Sequence, residues 1–213
     1  SGEGTIVLNA HAINRGRMPQ FAQGGDFEFL EMPDEEAAAR RIVSLVKDEL
    51  VREGFSALED VQVLSPMHRT PCGVDNLNRL LQAALNPPAP EKAEFRGNTL
   101  VLRVGDKVMQ TKNDYTKGVF NGDIGFITEV SADGVKVRYS DELTADYEPN
   151  ELMMLTLAYA MSVHKSQGSE YPVIVLPLVA AHHIMLQRNL LYTAVTRAKK
   201  KVVLLGSKAA VFT

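Results

Sequence analysis

The sequence predicts an α/β protein with a small all-β unit inserted into it, and three observations carry that expectation. Strand-like apolar runs alternate with helix-period segments over the first 85 residues, and the same alternation resumes near residue 157. Between these stretches lie five short strand-like runs divided by tight-turn residues. Residues 1–97 and 156–213 are therefore expected to form one discontinuous domain, with 98–155 as an inserted β-barrel.

The elements follow in order. TIVLNAHAINRG reads as a helix with Ile6, Val7, Ala10 and Ile13 on one face and Gly16 ending it. It starts abruptly and without Met, so the chain is expected to be a segment of something longer. FEFLEM alternates as a strand, and Pro33-Asp34 opens a helix whose stripe is Ala38, Ile42, Leu45, Val46 and Leu50, stopped at Gly54. VQVLSP at 61–66 is a short buried strand. Residues 74–85 form a helix with Val74, Leu77, Leu80, Leu81 and Leu85 inward. NPPAPEK then marks an irregular loop, because neither a helix nor a central strand accommodates that much proline.

The inserted strands are TLVLRV, DKVMQT, GFITEV, GVKVRYS and LTADYE, with turns at Gly105-Asp106, Asn121-Gly122-Asp123 and Asp133-Gly134. Tyr115, Phe120, Phe126 and Tyr139 are expected mainly as this unit's own core, with base stacking as the other possibility. Met153, Met154 and Met161 read as core filler. After them, LAYAMSVHKSQG at 157–168 is helix-compatible, PVIVLPLV is a buried strand, 186–199 is an amphipathic helix and VVLLG another buried strand.

Composition narrows the function classes. With 213 residues, 45% hydrophobic and 23% charged, the chain is an ordinary globular one, without a run of apolar residues long enough for a membrane helix. A cytoplasmic protein is expected. One cysteine, Cys72, excludes an internal disulfide and a thiolate zinc site, and no metal site is expected. The net charge of −3 conceals an asymmetry: residues 1–60 hold six Lys/Arg against twelve Asp/Glu, whereas 157–213 hold seven against Glu170. A basic end favours a polyanionic partner, although charge runs are more often solvated surface.

Two segments concentrate polar chemistry. SVHKSQGSEYPVIVL at 162–176 packs Ser162, His164, Lys165, Ser166, Gln167 and Glu170 directly before a buried strand, with Gly168 allowing close backbone approach. QRNLLYTAVTRAKKKVVLLG at 187–206 reads as a helix with Leu190, Leu191, Ala194 and Val195 inward and Arg197 in its last turn, on one face with Thr193. A guanidinium suits phosphate, since its planar fork matches two oxygens and stays charged.

SVHKSQGSE resembles motif V, and NLLYTAVTRAK motif VI, of superfamily 1 helicases of the RecD-like branch. VLSPMHRTPCGVDNLN within 61–78 looks like motif IV, VGDKVMQTKNDYTKGVFNGDIGFI at 104–127 like the start of the branch's Src-homology-3-like barrel, and TIVLNAHAINRG like the helix after motif III. The resemblance implies a RecA-like (P-loop NTPase-type) parallel-sheet domain without its own phosphate loop; no G-x-x-x-x-G-K-[ST] occurs in the chain. It implies the C-terminal motor domain of an ATP-dependent 5′-to-3′ DNA helicase in recombination and repair, with ATP and Mg2+ held mainly by an N-terminal RecA-like domain. This chain alone is then expected to be inactive. Arg197 matches the arginine finger, and Gly168, Glu170 and Gln167 fall on the nucleotide side. Ser162, His164, Lys165, Thr111, Lys112 and Asn113 are implied single-stranded DNA contacts. The basic residue of motif IV falls on Arg69, assigned to the nucleotide side, or on His68 with a slip of one. Some members of the branch are nuclease-helicase subunits, so such subunits are implied partners. The reading from another class is a nucleic-acid-binding or partner-docking module with no motor function.

Overall fold

The computed structural model describes residues 2–17, 19–21, 25–178 and 184–207. Two compact units result: residues 1–77 with 160–213, and residues 78–159. The second unit extends beyond the expected 98–155 at both ends and takes in most of a helix.

In the first unit, α1 (Gly2–Asn14) buries Ile6, Ala10 and Ile13 and ends at Gly16, whose φ of +75° suits glycine. Val7 departs from the expected stripe and is 52% exposed; Asn9 takes the inward position and exchanges two hydrogen bonds with the Gln20 backbone. Strand β1 (Phe27–Glu31) leads to α2 (Glu35–Ser44), which starts where Asp34 caps it by accepting a hydrogen bond from the Ala37 N–H at 2.7 Å. The helix continues through a π turn, Leu45–Glu49, to Leu50–Arg52 and buries Ala38, Ile42, Leu45, Val46 and Leu50. Then follow β2 (Val61–Ser65) and α3 (Val74–Leu85), which opens in this unit and runs on into the second.

Near residue 160 the chain returns to the first unit. The segment expected as helix-compatible, 157–168, is instead a short strand, β10 (Ala160–Ser162), and one 3-10 turn, Val163–Ser166. Tertiary pairing overrides local propensity here, because Ala160, Met161 and Ser162 pair in parallel with Val63, Leu64 and Ser65. β11 (Tyr171–Leu178), α4 (Ile184–Val195) and β12 (Ala198–Gly206) complete the unit. Its sheet runs β1-β12-β11-β2-β10 and every pair is parallel. The central strands are apolar without alternation, as sheets covered on both faces require: Val173–Leu176 and Val202–Leu205 are all buried. Lys201, 3% exposed, lies between Glu28 at 3.4 Å and Glu53 at 2.7 Å. Part of the charge asymmetry is thus neutralised inside the fold.

The second unit contains the rest of α3, a hairpin of β3 (Glu94–Arg96) and β4 (Val101–Arg103), and five antiparallel strands in the order β8-β7-β6-β5-β9. These are β5 (Lys107–Gln110), β6 (Ile124–Ser131), β7 (Gly134–Arg138), β8 (Thr144–Tyr147) and β9 (Leu155–Leu157). On α3, Leu77 and Leu81 are fully buried; Asn78, Gln82 and Asn86 are also buried, on the face where only leucines were expected. Asn78 donates to the Leu157 carbonyl at 3.1 Å, and Gln82 and Asn86 turn to Asp106, which is fully buried. Its carboxylate accepts hydrogen bonds from Gln82 Nε2 at 2.8 Å, Asn86 Nδ2 at 2.7 Å, Tyr159 Oη at 2.7 Å and the Arg103 N–H at 2.7 Å. Met161 is core, as read, but Met153 is 73% exposed. Among the described residues no helix is long and apolar enough to cross a membrane.

Candidate functional site

The predicted site residues of the first unit fall at two opposite ends of its parallel sheet. At the carboxyl end, Ser65 of β2 stands beside Ser162 of β10. The Ser65 hydroxyl is buried and donates to the Cys72 carbonyl at 2.6 Å, which folds residues 66–73 back over the strand end. Cys72 N–H donates to Glu35 Oε1 at 2.9 Å, and burial pushes the Cys72 thiol up to about 12, so it is no nucleophile. With its backbone pinned in this way, the loop presents His68 and Arg69 exposed.

From the same end the chain enters the 3-10 turn. Ser162 caps it by accepting a hydrogen bond from the His164 N–H, and Ser166 closes it by donating to the Val163 carbonyl. Val163 and Ser166 point inward, which leaves His164, Lys165 and Gln167 exposed. The His164 side chain is exposed and its ring makes no hydrogen bond among the described residues, so this is not a core histidine. Gly168 then takes φ +83° with nothing within 4 Å of where a Cβ would stand. Its role is a left-handed turn facing open space, which a ligand can approach.

The segment ends at the amino end of the sheet. Tyr171 N–H donates to the Arg197 carbonyl at 2.9 Å, so Glu170 arrives beside Arg197 with Gly168 two residues before it. The strand registers put Val173 opposite Val61 and Ser162 opposite Ser65. Tyr171 is thus about six residues from Ser162 along the strands, or roughly 20 Å.

Arg197 does not sit in the helix, as expected; α4 ends at Val195, and Thr196-Arg197 form the turn into β12, with the Arg197 N–H donating to the Ala194 carbonyl at 3.0 Å. Leu191, Ala194 and Val195 are buried beneath it, whereas Leu190 is half-buried. The guanidinium is half-buried and weakly held: Nη2 lies 3.4 Å from Thr196 Oγ1, and the buried Nε has no partner among the described residues. Such a donor is an exception among buried polar groups and is what an absent anion would satisfy. Glu170 is exposed and 3.7 Å from Lys199.

The structure brings the strand start at Glu170-Tyr171 to Arg197 but not Arg69, which lies at the far end with Ser162. Arg69, expected on the nucleotide side, is therefore at the opposite end of the sheet from Arg197, because β2 delivers its loop to the carboxyl end and α4 delivers Arg197 to the amino end. His68 is on the same loop, so the choice between them leaves the placement unchanged.

In the second unit, Thr111 Oγ1 donates to the Met154 carbonyl at 3.1 Å and Asn113 Oδ1 accepts from the Asn121 N–H at 2.9 Å. Both are committed to loop structure; Lys112 is exposed. The aromatic expectation fails in part. Tyr115 is 81% and Phe120 41% exposed, stacked edge-on at 5.4 Å between centroids. Phe126 and Tyr139 are half-buried, and burial raises the Tyr139 hydroxyl, which meets that of Tyr147. Among the described residues no three His, Cys, Asp or Glu side chains converge as a metal site.

Residues 77–143 match the ATP-dependent RecD-like DNA helicase SH3 domain, and residues 157–205 the UvrD-like helicase C-terminal domain. The chain is 38% identical over 212 residues to the ATP-dependent RecD2 DNA helicase of Deinococcus radiodurans, a match covering 96% of this chain. It is 34% identical over 160 residues, 75% of its length, to the RecBCD enzyme subunit RecD of Mycolicibacterium smegmatis. The chain spans 27% of the length of either relative. In fold it is similar to the Pif1 helicase of Bacteroides solved with ADP-AlF3 and single-stranded DNA (TM-score 0.59, 19% identity, 95% of this chain and 49% of that one). The Pif1 helicase of Candida albicans is similar as well (TM-score 0.56, 17% identity, 99% and 55%). A RecD-like SH3 domain followed by a helicase C-terminal domain, on a parallel α/β sheet, places this chain among the RecD-like helicases as a counterpart of their C-terminal part.

Proposed function

We propose that this chain is the second motor domain of an ATP-dependent 5′-to-3′ DNA helicase acting in recombination or repair. On this reading it lends Arg197 to an ATP site completed by an N-terminal RecA-like domain of the same protein. The observation that carries the proposal is the Arg197 guanidinium, held at a strand entrance with a buried Nε that no group among the described residues satisfies.

The chemistry follows from the two ends of the sheet. At the amino end, Arg197 donates to the oxygens of the γ-phosphate and stabilises the charge that spreads over them during transfer, an effect worth several powers of ten in rate. Gly168 lets the backbone near the nucleotide, and Glu170 accepts from a ribose hydroxyl on leaving Lys199. The phosphate cradle and the magnesium ligands belong to the other RecA-like domain; no residue of this chain is assigned to the metal. At the carboxyl end, His164 and Lys165, with Arg69 or His68 across the strand end, contact the phosphates of a single strand, which recur whatever the sequence. Residues 163–170 join the two ends directly. A shift at the nucleotide is thereby passed to the strand contacts within one short segment, and alternating grip on the strand yields movement.

The test is strand displacement by the full-length protein on duplexes with a 5′ or a 3′ single-stranded tail. ATP-dependent unwinding from the 5′ tail is expected. Unwinding from the 3′ tail alone would overturn the polarity, and strand binding without ATP hydrolysis would favour the binding-module reading.

A further inference from the structure

We propose that Tyr115 and Phe120 form a stacking site for one nucleobase of a single-stranded nucleic acid, on the loop between β5 and β6. The inference rests on the helicase reading and extends it to a contact made with a base rather than with the backbone.

The loop is rigid by construction. Asp114 and Val119 form a two-residue bridge, with N–H to carbonyl bonds of 2.8 and 3.1 Å, and Val119 is fully buried. The Asp114 carboxylate accepts from the Lys117 N–H at 2.9 Å, and Gly118 turns the chain at φ +74°. Asp123 accepts from the Phe120 N–H at 2.8 Å, and the Gln110 carbonyl accepts from Gly122 at 2.8 Å. Lys117 fastens the loop to the rest of the unit through Glu151 at 3.0 Å and the Asp146 carbonyl at 2.8 Å, above the Tyr147 ring.

These bonds fix the loop backbone and leave its two largest apolar groups outside. They are held outward, and their edge-on contact at 73° between planes leaves a ring face of Tyr115 uncovered. A preorganised aromatic face loses little freedom on binding, which favours a rigid planar ligand. The surroundings decide what kind. Lys112, Asn113, Thr116 and Asn121 are all exposed and polar, so the apolar surface is two rings wide, too small for a docked protein face. A nucleobase needs no more than one ring to stack on, and the Lys112 ammonium, in no ion pair, is available to the phosphate beside it. Stacking is indifferent to base identity, as a motor on arbitrary sequence requires.

The test uses the full-length protein and oligothymidylates carrying a single 2-aminopurine at successive positions. Stacking quenches this probe, so one position in the bound register is expected to darken. Tyr115→Ala should abolish that quench and weaken binding about tenfold at constant salt slope, while Tyr115→Phe keeps both. Melting temperatures should be nearly equal, since the side chain is 81% exposed and meets the loop at the Phe120 ring. Unchanged affinity and an unchanged quenching profile in Tyr115→Ala would overturn the stacking site and leave the helicase reading intact. Weaker binding with the quench retained would overturn it too, by making Tyr115 a backbone contact. Failure of the wild-type protein to bind any single strand would remove both readings together.

Discussion

The two units handle polar groups in opposite ways. In the sheet of the first unit β11 and β12 are apolar at their centres, the buried Lys201 is ion-paired with Glu28 and Glu53, and the polar residues of interest gather at the strand ends, where Arg197 keeps a buried donor without a partner among the described residues. The second unit builds polar groups into its centre and satisfies them. Asp106 receives four hydrogen bonds, and Tyr147 donates to Gln110 at 2.6 Å. A satisfied buried network specifies structure, whereas an unsatisfied donor at a strand end points to a ligand. On the proposed reading chemistry belongs to Arg197 and architecture to Asp106, although both are polar residues in turns.

The largest expected effect tests the first half of that contrast. Arg197→Ala in the full-length protein should lower kcat for ATP hydrolysis by about a thousandfold, in line with loss of an arginine finger. Its melting temperature should not fall, because the guanidinium supports little else. A stability loss equal to that of a core mutation would show that Arg197 is structural.

Asp106→Ala should do the reverse. It leaves two amide groups, a hydroxyl and a backbone N–H without their acceptor and is expected to destabilise residues 78–159 by about 3 kcal/mol, read by denaturant unfolding or amide exchange. A change below about 0.5 kcal/mol would break the comparison.

Lys107 gives a smaller effect that depends on pH. It is buried, and that burial lowers its ammonium from 10.5 to about 8. The unfolded chain then binds more protons than the folded one between these values, so stability rises with pH across them. From pH 8 to 10 the gain should be on the order of 2 kcal/mol, and Lys107→Met should flatten it. Above pH 10 ionisation of tyrosines in the unfolded state opposes the trend, since burial raises Tyr139, Tyr147 and Tyr159 in the folded one. A slope that persists in Lys107→Met would assign it elsewhere. The smallest effect is expected for His164→Ala, a severalfold loss of single-strand affinity without a change in melting.

Much of this was legible in the sequence. Unbroken apolar runs marked β2, β11 and β12, and the Pro33-Asp34 signal marked the start of α2, because these depend on local composition. Misreadings arose where distant pairing decides. Residues 160–162 are a strand because β2 lies alongside. Gln82 and Asn86 turn inward because Asp106, at what reads as a simple turn, accepts from both, and Asn78 because the Leu157 carbonyl does. Arg69 and Arg197 were assigned to one side because motif order does not say which end of a strand a loop occupies; register does. The exposure of Tyr115 and Phe120 was missed because strand-like alternation suggests core, and only the loop's hydrogen bonds reveal that they point outward.

The central claim is that this chain provides part of a shared ATP site. It is tested most directly by measuring ATP hydrolysis, with and without single-stranded DNA, by this chain, by the separately produced N-terminal RecA-like domain, and by the two mixed. The account predicts DNA-stimulated hydrolysis in the mixture alone, lost again with Arg197→Ala. Hydrolysis by this chain alone, or a mixture indifferent to Arg197, would contradict it.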